Sequence, residues 1–455
     1  MSQVLLTALG GSGEIGASCF LLQEGTNDVL LDCGIHPKKE GEAALPELSL
    51  LSRPPTAVIV THAHIDHCGA VPYLMRLFPT TDCYTTIPTA DIMDRMLHNS
   101  VAVMGKIAVE QNISEYPLYS HRDVDKAFKR LYAMEYDEEF GLDLAMPHRV
   151  SFHPAGHVLG SASVLVKTES HTLFYTGDIC AANQELLGGL EPIDKEEHVD
   201  TLVLECTKAN DDDAESKSFG KEIQSFAREI SRVIQDGGVV LVPCFALGRC
   251  QELLTVISRL MDAGDLPEVP VYASGLGRAI HELYLRHSDY LQPKADLRSL
   301  DEYESVGDVW NPSVRRELLA EPAIIVATSG MMIENTPSAM LAKEMVKHQQ
   351  HGIFFVGYLD PDTLGYKLLN AEPAEPLVFE RGTAPVKVRL QNRQTFSFSA
   401  HAPREDLESV VEHVQPENVV LVHGDMDAIE RMRDHCNGAA RVFAPTIGET
   451  IALDR

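Results

Sequence analysis

Residues Val58–Ala70 read VIVTHAHIDHCGA. The apolar run Val58–Val60 leads into His62, His64, Asp66 and His67, with a helix expected to open near Gly69. A short apolar run ending in a polar loop suits a buried strand. Residues two apart at a strand end project to the same side, so His62 and His64 can share one space. Asp66 and His67 sit just before the helix and can turn into that space. Three imidazoles and a carboxylate at this spacing suit zinc, which takes N and O ligands at about 2.0–2.2 Å. A merely histidine-rich loop has no reason to keep that spacing directly after a buried strand.

Other acids and imidazoles stand in similar places. His157 lies in PAGHVLGSAS between two strands, and Asp178 lies in FYTGDIC at a strand end. Asp32 closes VLLDCG and could orient a ligand histidine by accepting its second ring proton. Taken singly, each is an ordinary turn residue. Gly11-Ser12-Gly13-Glu14-Ile15-Gly16 spells a dinucleotide fingerprint, but that motif requires a helix after its last glycine. Ala17–Gln23 reads as a strand, so the stretch is a glycine-rich turn.

Strands are expected at Ala17–Gln23, Val29–Asp32, Ala57–Thr61, Ser161–Lys167, Thr172–Thr176 and Thr201–Glu205, with helices at Ala70–Phe78 and around Asp91–Glu110. From about residue 210 the rhythm changes. Phe219, Ile223, Phe226, Ile230, Val233 and Ile234 mark one helix face, ended by Gly237-Gly238. Strand Val239–Val242, helix Gln251–Met261, strand Val269–Ala273, helix Ala279–Arg286 and strands Ile324–Ala327 and Ile353–Val356 form an αβ alternation with a parallel sheet. After about 365 strands return, followed by helix Glu405–His413, strand Val419–Val422 and helix Ala428–His435. The pattern is one domain interrupted by another.

At 455 residues the chain suits two large domains or three small ones. No apolar run approaches the roughly 20 residues of a membrane helix, and MSQVLLTALGG lacks the basic start of a secretion signal. Nine scattered cysteines without a CxxC pair point to a reducing, cytoplasmic setting. The balance of 38 basic against 67 acidic residues excludes nucleic-acid binding through a broad basic surface, but not through a metal-lined cleft.

Asp32, His62-Ala63-His64-Ile65-Asp66-His67, His157 and Asp178 resemble the successive motifs of the metallo-β-lactamase superfamily. Glu205 ending TLVLE, His401 in FSFSAHAPREDL and His423 in VVLVHGDMDAIERM resemble motifs A, B and C of its β-CASP branch, the nucleic-acid-processing group that includes ribonuclease J and the cleavage-and-polyadenylation endonuclease. VPCFALGRCQELL and ATSGMM resemble the inserted β-CASP domain. The likeness runs end to end.

That resemblance implies an α/β fold, a four-layer αβ/βα sandwich carrying an inserted β-CASP αβ domain. The segments would be 1–208 for the first part of the metallo-β-lactamase domain, 209–365 for the insert and 366–455 for the return. It implies two zinc ions, one held by His62, His64 and His157, the other by Asp66, His67 and His423, with Asp178 bridging. Asp66 would also orient the attacking water, and His401 would stabilise charge on the phosphate or protonate the departing oxygen. Glu205 would accept a hydrogen bond from a neighbouring histidine. Ser399, Ser329 and Arg249 are candidate phosphate contacts. The implied activity is a zinc-dependent ribonuclease acting on single-stranded RNA; His at motif C goes with RNA, whereas the DNA-repair branch usually carries Val.

Two stretches depart from the family pattern. After Glu205 comes Cys206-Thr207-Lys208-Ala209-Asn210 and three aspartates in place of a Ser/Thr-Thr-Tyr-Gly turn, and Gly357-Tyr358-Leu359-Asp360-Pro361-Asp362-Thr363 replaces a GYQ-containing stretch. The length leaves no room for an RNA-binding module in front or a long dimerisation domain behind. A scaffold or regulatory subunit working with a partner protein, and a DNA or small-phosphoester hydrolase, are the alternatives; a homodimer is an option for assembly.

Overall fold

In the computed structural model, residues 3–142, 148–210, 219–436, 438 and 440–454 are described. They form two compact units. The first comprises Met1–Asn183, Gly188–Glu215 and His401–Arg455; the second comprises Gln184–Leu187 and Ser216–Ala400.

The first unit is built on two seven-stranded sheets. One runs in the spatial order Thr450–Ala452, Val4–Gly10, Cys19–Glu24, Asn27–Leu31, Ala57–Ile59, Asp82–Thr86, Leu131–Met134. The other runs Arg441–Phe443, Asn418–Val422, Thr201–Glu205, Thr172–Tyr175, Ala162–Lys167, Arg149–Pro154, Phe140–Gly141. Alternate residues of both sheets meet in one core, with Leu6, Phe20, Val29 and Leu31 facing Phe152, Val164, Tyr175 and Val203. Burying each such side chain contributes about 1.5–3 kcal/mol. The opposite residues of the second sheet, among them Leu202, Leu204, Val419 and Leu421, pack against Leu407 and Val411 of helix Arg404–Val414 and Ile429 and Met432 of helix Met426–Cys436.

Helix Ile87–Gln111 covers the far side of the first sheet, against Asp82–Thr86 and Leu131–Met134. Thr86 caps its start, accepting from the Thr89 N–H, and Asn112 ends it in the left-handed conformation. The layers are therefore αβ/βα.

The second unit has a six-stranded, wholly parallel sheet in the order Glu304–Ser305, Val271–Ala273, Ala323–Ala327, Val239–Pro243, Gly352–Val356, Asn392–Phe396. Its central strands are apolar at every position because helices cover both faces. Phe226, Ile230 and Val233 of helix Phe219–Gln235 and Leu253 and Ile257 of helix Arg249–Asp262 pack on one face. Ala339, Leu341 and Met345 of helix Pro337–Met345 pack on the other. Gly237, at φ +76, supplies the left-handed turn that stops the first of these helices.

Two expectations need correction. Asp66 and His67 lie not before a helix but within a one-turn helix, Ile65–Cys68, with the longer helix at Val71–Leu77. The return to the first unit, expected at 366, comes at His401. Helix Leu364–Asn370 and the parallel pairing of Asn392–Phe396 with Gly352–Val356 keep that segment in the second unit. The three aspartates after Asn210 lie outside the described residues.

Candidate metal centre

Strand Ala57–Ile59 delivers His62 and His64, and the helix Ile65–Cys68 turns Asp66 and His67 toward them. The loop after Asn27–Leu31 stitches this helix in place: the N–H groups of Cys33 and Ile35 donate to the His67 and Ile65 carbonyls at 2.8 and 2.9 Å. Gly34 is required there, because a Cβ would lie 1.7 Å from the Asp66 carbonyl oxygen. His157 is presented by a turn in which Ser161 Oγ accepts from the N–H of His157 and of Val158, both at 3.1 Å. Asp178 follows strand Thr172–Tyr175, and His423 follows Asn418–Val422.

These ends converge. His62 Nε2 and His157 Nε2 each lie 3.1 Å from His64 Nδ1, and 3.7 and 3.8 Å from Asp178 Oδ2. On the other side, Asp178 Oδ1 lies 3.4 Å from His67 Nε2 and 3.1 Å from His423 Nδ1, while His423 Nε2 is 3.5 Å from Asp66 Oδ2. The two oxygens of one carboxylate thus face two separate groups of ligand-type atoms. Donors about 2.0–2.2 Å from an ion stand about 3.3 Å apart across a tetrahedron, close to these spacings. His67 Nε2, His423 Nε2 and Asp178 Oδ1 are buried and meet no well-formed hydrogen-bond partner among the described residues. Atoms of that kind are costly unless something else satisfies them. The residues therefore fit a pair of divalent cations.

Asp32 is fully buried and orients the set. Its Oδ2 accepts from Tyr175 OH at 2.8 Å and Thr61 Oγ1 at 2.9 Å and lies 2.8 Å from His67 Nδ1, and its Oδ1 accepts from Thr61 N at 2.8 Å. Glu205 plays a matching part. It accepts from Ile179 N at 2.7 Å, and both its oxygens lie 3.2 Å from His401 Nδ1. The His401 ring stands 4.6 Å from that of His157. Tyr175, Thr61 and Thr207 escaped the sequence reading, although the first two adjoin motif residues.

Burial, followed by the charge of His67, pushes His62 well below the ordinary histidine value, and burial lowers His64 as well. Burial alone would raise the Asp178 carboxyl, but His423 and His67 carry it well below the usual range, and His423 does the same for Asp66. Burial likewise opposes the charged forms of His67 and His423, yet Asp178 outweighs it and lifts His423 to about 10. Cation binding at that group would displace those protons. His401 is raised, because the Glu205 carboxylate more than offsets its burial.

The expected phosphate contacts all fall in the second unit, at the C-terminal ends of its parallel strands. Arg249 is 6% exposed, and its guanidinium donates to Gln184 Oε1 and to the Phe398 carbonyl. Ser329 Oγ accepts from Ile333 N at 3.0 Å, and Ser399 is half-buried.

A sandwich of this layering, with histidines and acids gathered at the strand ends around a shared carboxylate, defines a metal-dependent hydrolase. Family models agree segment by segment. Residues 12–217 match the metallo-beta-lactamase superfamily, 250–368 the Beta-Casp domain, and 385–445 the Zn-dependent metallo-hydrolase RNA specificity domain. An RNase J-like protein of Methanocaldococcus jannaschii is 30% identical over 427 residues, covering 93% of both chains. The transcription termination factor FttA of Pyrococcus horikoshii is 32% identical over 93% of this chain, which spans 66% of that protein's length. A crystal structure of an Enterococcus faecalis protein of unknown function superposes with a TM-score of 0.59 at 16% identity, covering 99% of this chain and 100% of that one; it shares the fold. The chain belongs to the β-CASP family of the metallo-β-lactamase superfamily.

Proposed function

We propose that this chain is a zinc-dependent ribonuclease that hydrolyses phosphodiester bonds of single-stranded RNA during RNA processing or decay. The observation that carries this reading is the division of Asp178 between two groups: Oδ2 lies by His62 and His157, whose rings meet His64, and Oδ1 lies by His67 and by His423, which meets Asp66. Zinc ions held there would supply Lewis acidity and a water acidic enough to attack near neutral pH. Asp66 orients the attacking water. His401, braced by Glu205, faces the departing oxygen as a cation and donates its proton. Asp32 keeps His67 in the tautomer a ligand needs.

RNA as substrate is favoured by the RNA specificity match, by the names of the relatives and by His423 at motif C. Ser399 and Ser329 are the proposed phosphate contacts of the second unit. All nine cysteines are buried thiols, which favours a reducing, cytoplasmic compartment, and no helix among the described residues is long and apolar enough to cross a membrane.

The test is cleavage of 5′-labelled RNA and of DNA of the same sequence by the purified chain, with metal content measured in parallel. Asp66→Ala combined with His67→Ala should abolish RNA cleavage while circular dichroism stays native. Undiminished cleavage by that variant sinks the proposal, and cleavage of DNA alone redirects it.

A further inference from the structure

The turn after Glu205, where the sequence departs from its family, reaches across to His423. We propose that Thr207 is a positioning residue that sets the ring tautomer of His423 and thereby aims Nε2 at Asp66; this rests on the zinc reading above.

Thr207 Oγ1 lies 3.1 Å from His423 Nδ1 and 3.2 Å from the His423 carbonyl oxygen. A hydroxyl offers one proton and two lone pairs, whereas a carbonyl oxygen only accepts. The threonine proton therefore goes to the carbonyl, and a lone pair faces the ring. Nδ1 must carry a proton to complete that contact, so the ring proton that a cation would displace is the one on Nε2. Nε2 is buried, without a well-formed hydrogen bond among the described residues, and 3.5 Å from Asp66 Oδ2. Asp178 Oδ1 also lies 3.1 Å from Nδ1; on the zinc reading that oxygen would be taken by an ion, which leaves Thr207 as the acceptor that fixes the proton.

The main chain is held by the same turn. His423 has a left-handed φ of +48, uncommon for a residue with a side chain. Its N–H donates to the Gly11 carbonyl at 2.7 Å, and its own carbonyl accepts from Cys206 N at 3.3 Å besides Thr207. Thr207 N in turn donates to Glu205 Oε2 at 3.3 Å, so one residue braces both His423 and the acid beside His401. The competing reading, a threonine that merely finishes a turn, predicts that valine would serve as well, since the position is half-buried.

The experiment compares the full-length protein with Thr207→Val, Thr207→Ser and His423→Ala by zinc titration against a chromophoric chelator and by the absorption of the Co2+-loaded protein. Wild type and Thr207→Ser should bind two ions per chain. Thr207→Val should keep the first and bind the second about 10–100-fold more weakly, as expected on losing a group that orients a ligand, with a changed Co2+ spectrum and an unchanged melting curve. Normal second-ion binding by Thr207→Val, or equal loss in Thr207→Ser, overturns the inference and leaves the zinc reading standing. A wild-type chain that takes up no second ion overturns both.

Discussion

Asp32 Oδ2 lies 2.8 Å from His67 Nδ1, with both side chains wholly removed from solvent. The carboxylate is not a free anion waiting for a cation, because Tyr175 and Thr61 occupy its remaining lone pairs. It fixes the histidine that in turn faces Asp178. Asp32→Asn should therefore retain the fold but weaken ion binding by about 10–100-fold. Zinc retention through dialysis against graded chelator measures this; unaltered retention would remove Asp32 from the centre.

His401 leans on Glu205 and touches the His157 ring, and with Glu205 and Asp178 it forms a third cluster beside the two groups assigned to the ions. His401→Ala should lower kcat for RNA cleavage by roughly 10²–10⁴-fold, the usual range for a lost acid-base group. Its zinc content should match that of the parent protein. Loss of zinc together with activity would make His401 a ligand instead.

Arg249 is anchored to Gln184 and the Phe398 main chain inside the second unit. Arg249→Met should cost about 1–3 kcal/mol in stability, because it strips buried acceptors of their donor. Urea denaturation followed through the single tryptophan, Trp310, which lies in that unit, reads the change. A variant of unchanged stability with weakened RNA binding would restore the expected phosphate contact.

The buried ring of His351 accepts from the Val239 N–H at 3.1 Å, at the start of a central strand. Burial, and then the charge of His348, hold its pKa at about 4, against 6.5 ordinarily. The unfolded chain therefore takes up this proton first as pH falls. The stability His351 contributes is complete above 6.5 and lost as pH drops toward 4. His351→Asn keeps an acceptor but cannot titrate, so its denaturation midpoint should fall less between pH 7 and 4 than that of the parent. Parallel slopes would contradict the assignment.

The residues of the candidate site were legible because each sits at a strand end beside a local signal: His62 and His64 two apart, Asp178 after FYTG, His423 after VVLV. Their supports were not. Asp32 is met by Thr61 from 29 positions away and by Tyr175 from 143, and no periodicity encodes such meetings. The helix Ile65–Cys68 is a single turn, too short to show a 3.6-residue pattern. The extent of the second unit was misjudged because its edge strand, NRQTF, is mostly polar and does not resemble the apolar strand it pairs with. The internal anchoring of Arg249, expected as a phosphate contact, was not legible because the atoms that hold it come from residues 184 and 398.

Strand Thr201–Glu205 pairs in parallel with Asn418–Val422, and His423 follows at once. On the ribosome, then, a nascent chain of 400 residues has already made His62, His64 and Asp178 but lacks both the strand that flanks Thr201–Glu205 and the last histidine of the second group. The second group can close only once residues 418–423 have been made, so any fragment that stops before them lacks one of its three side chains.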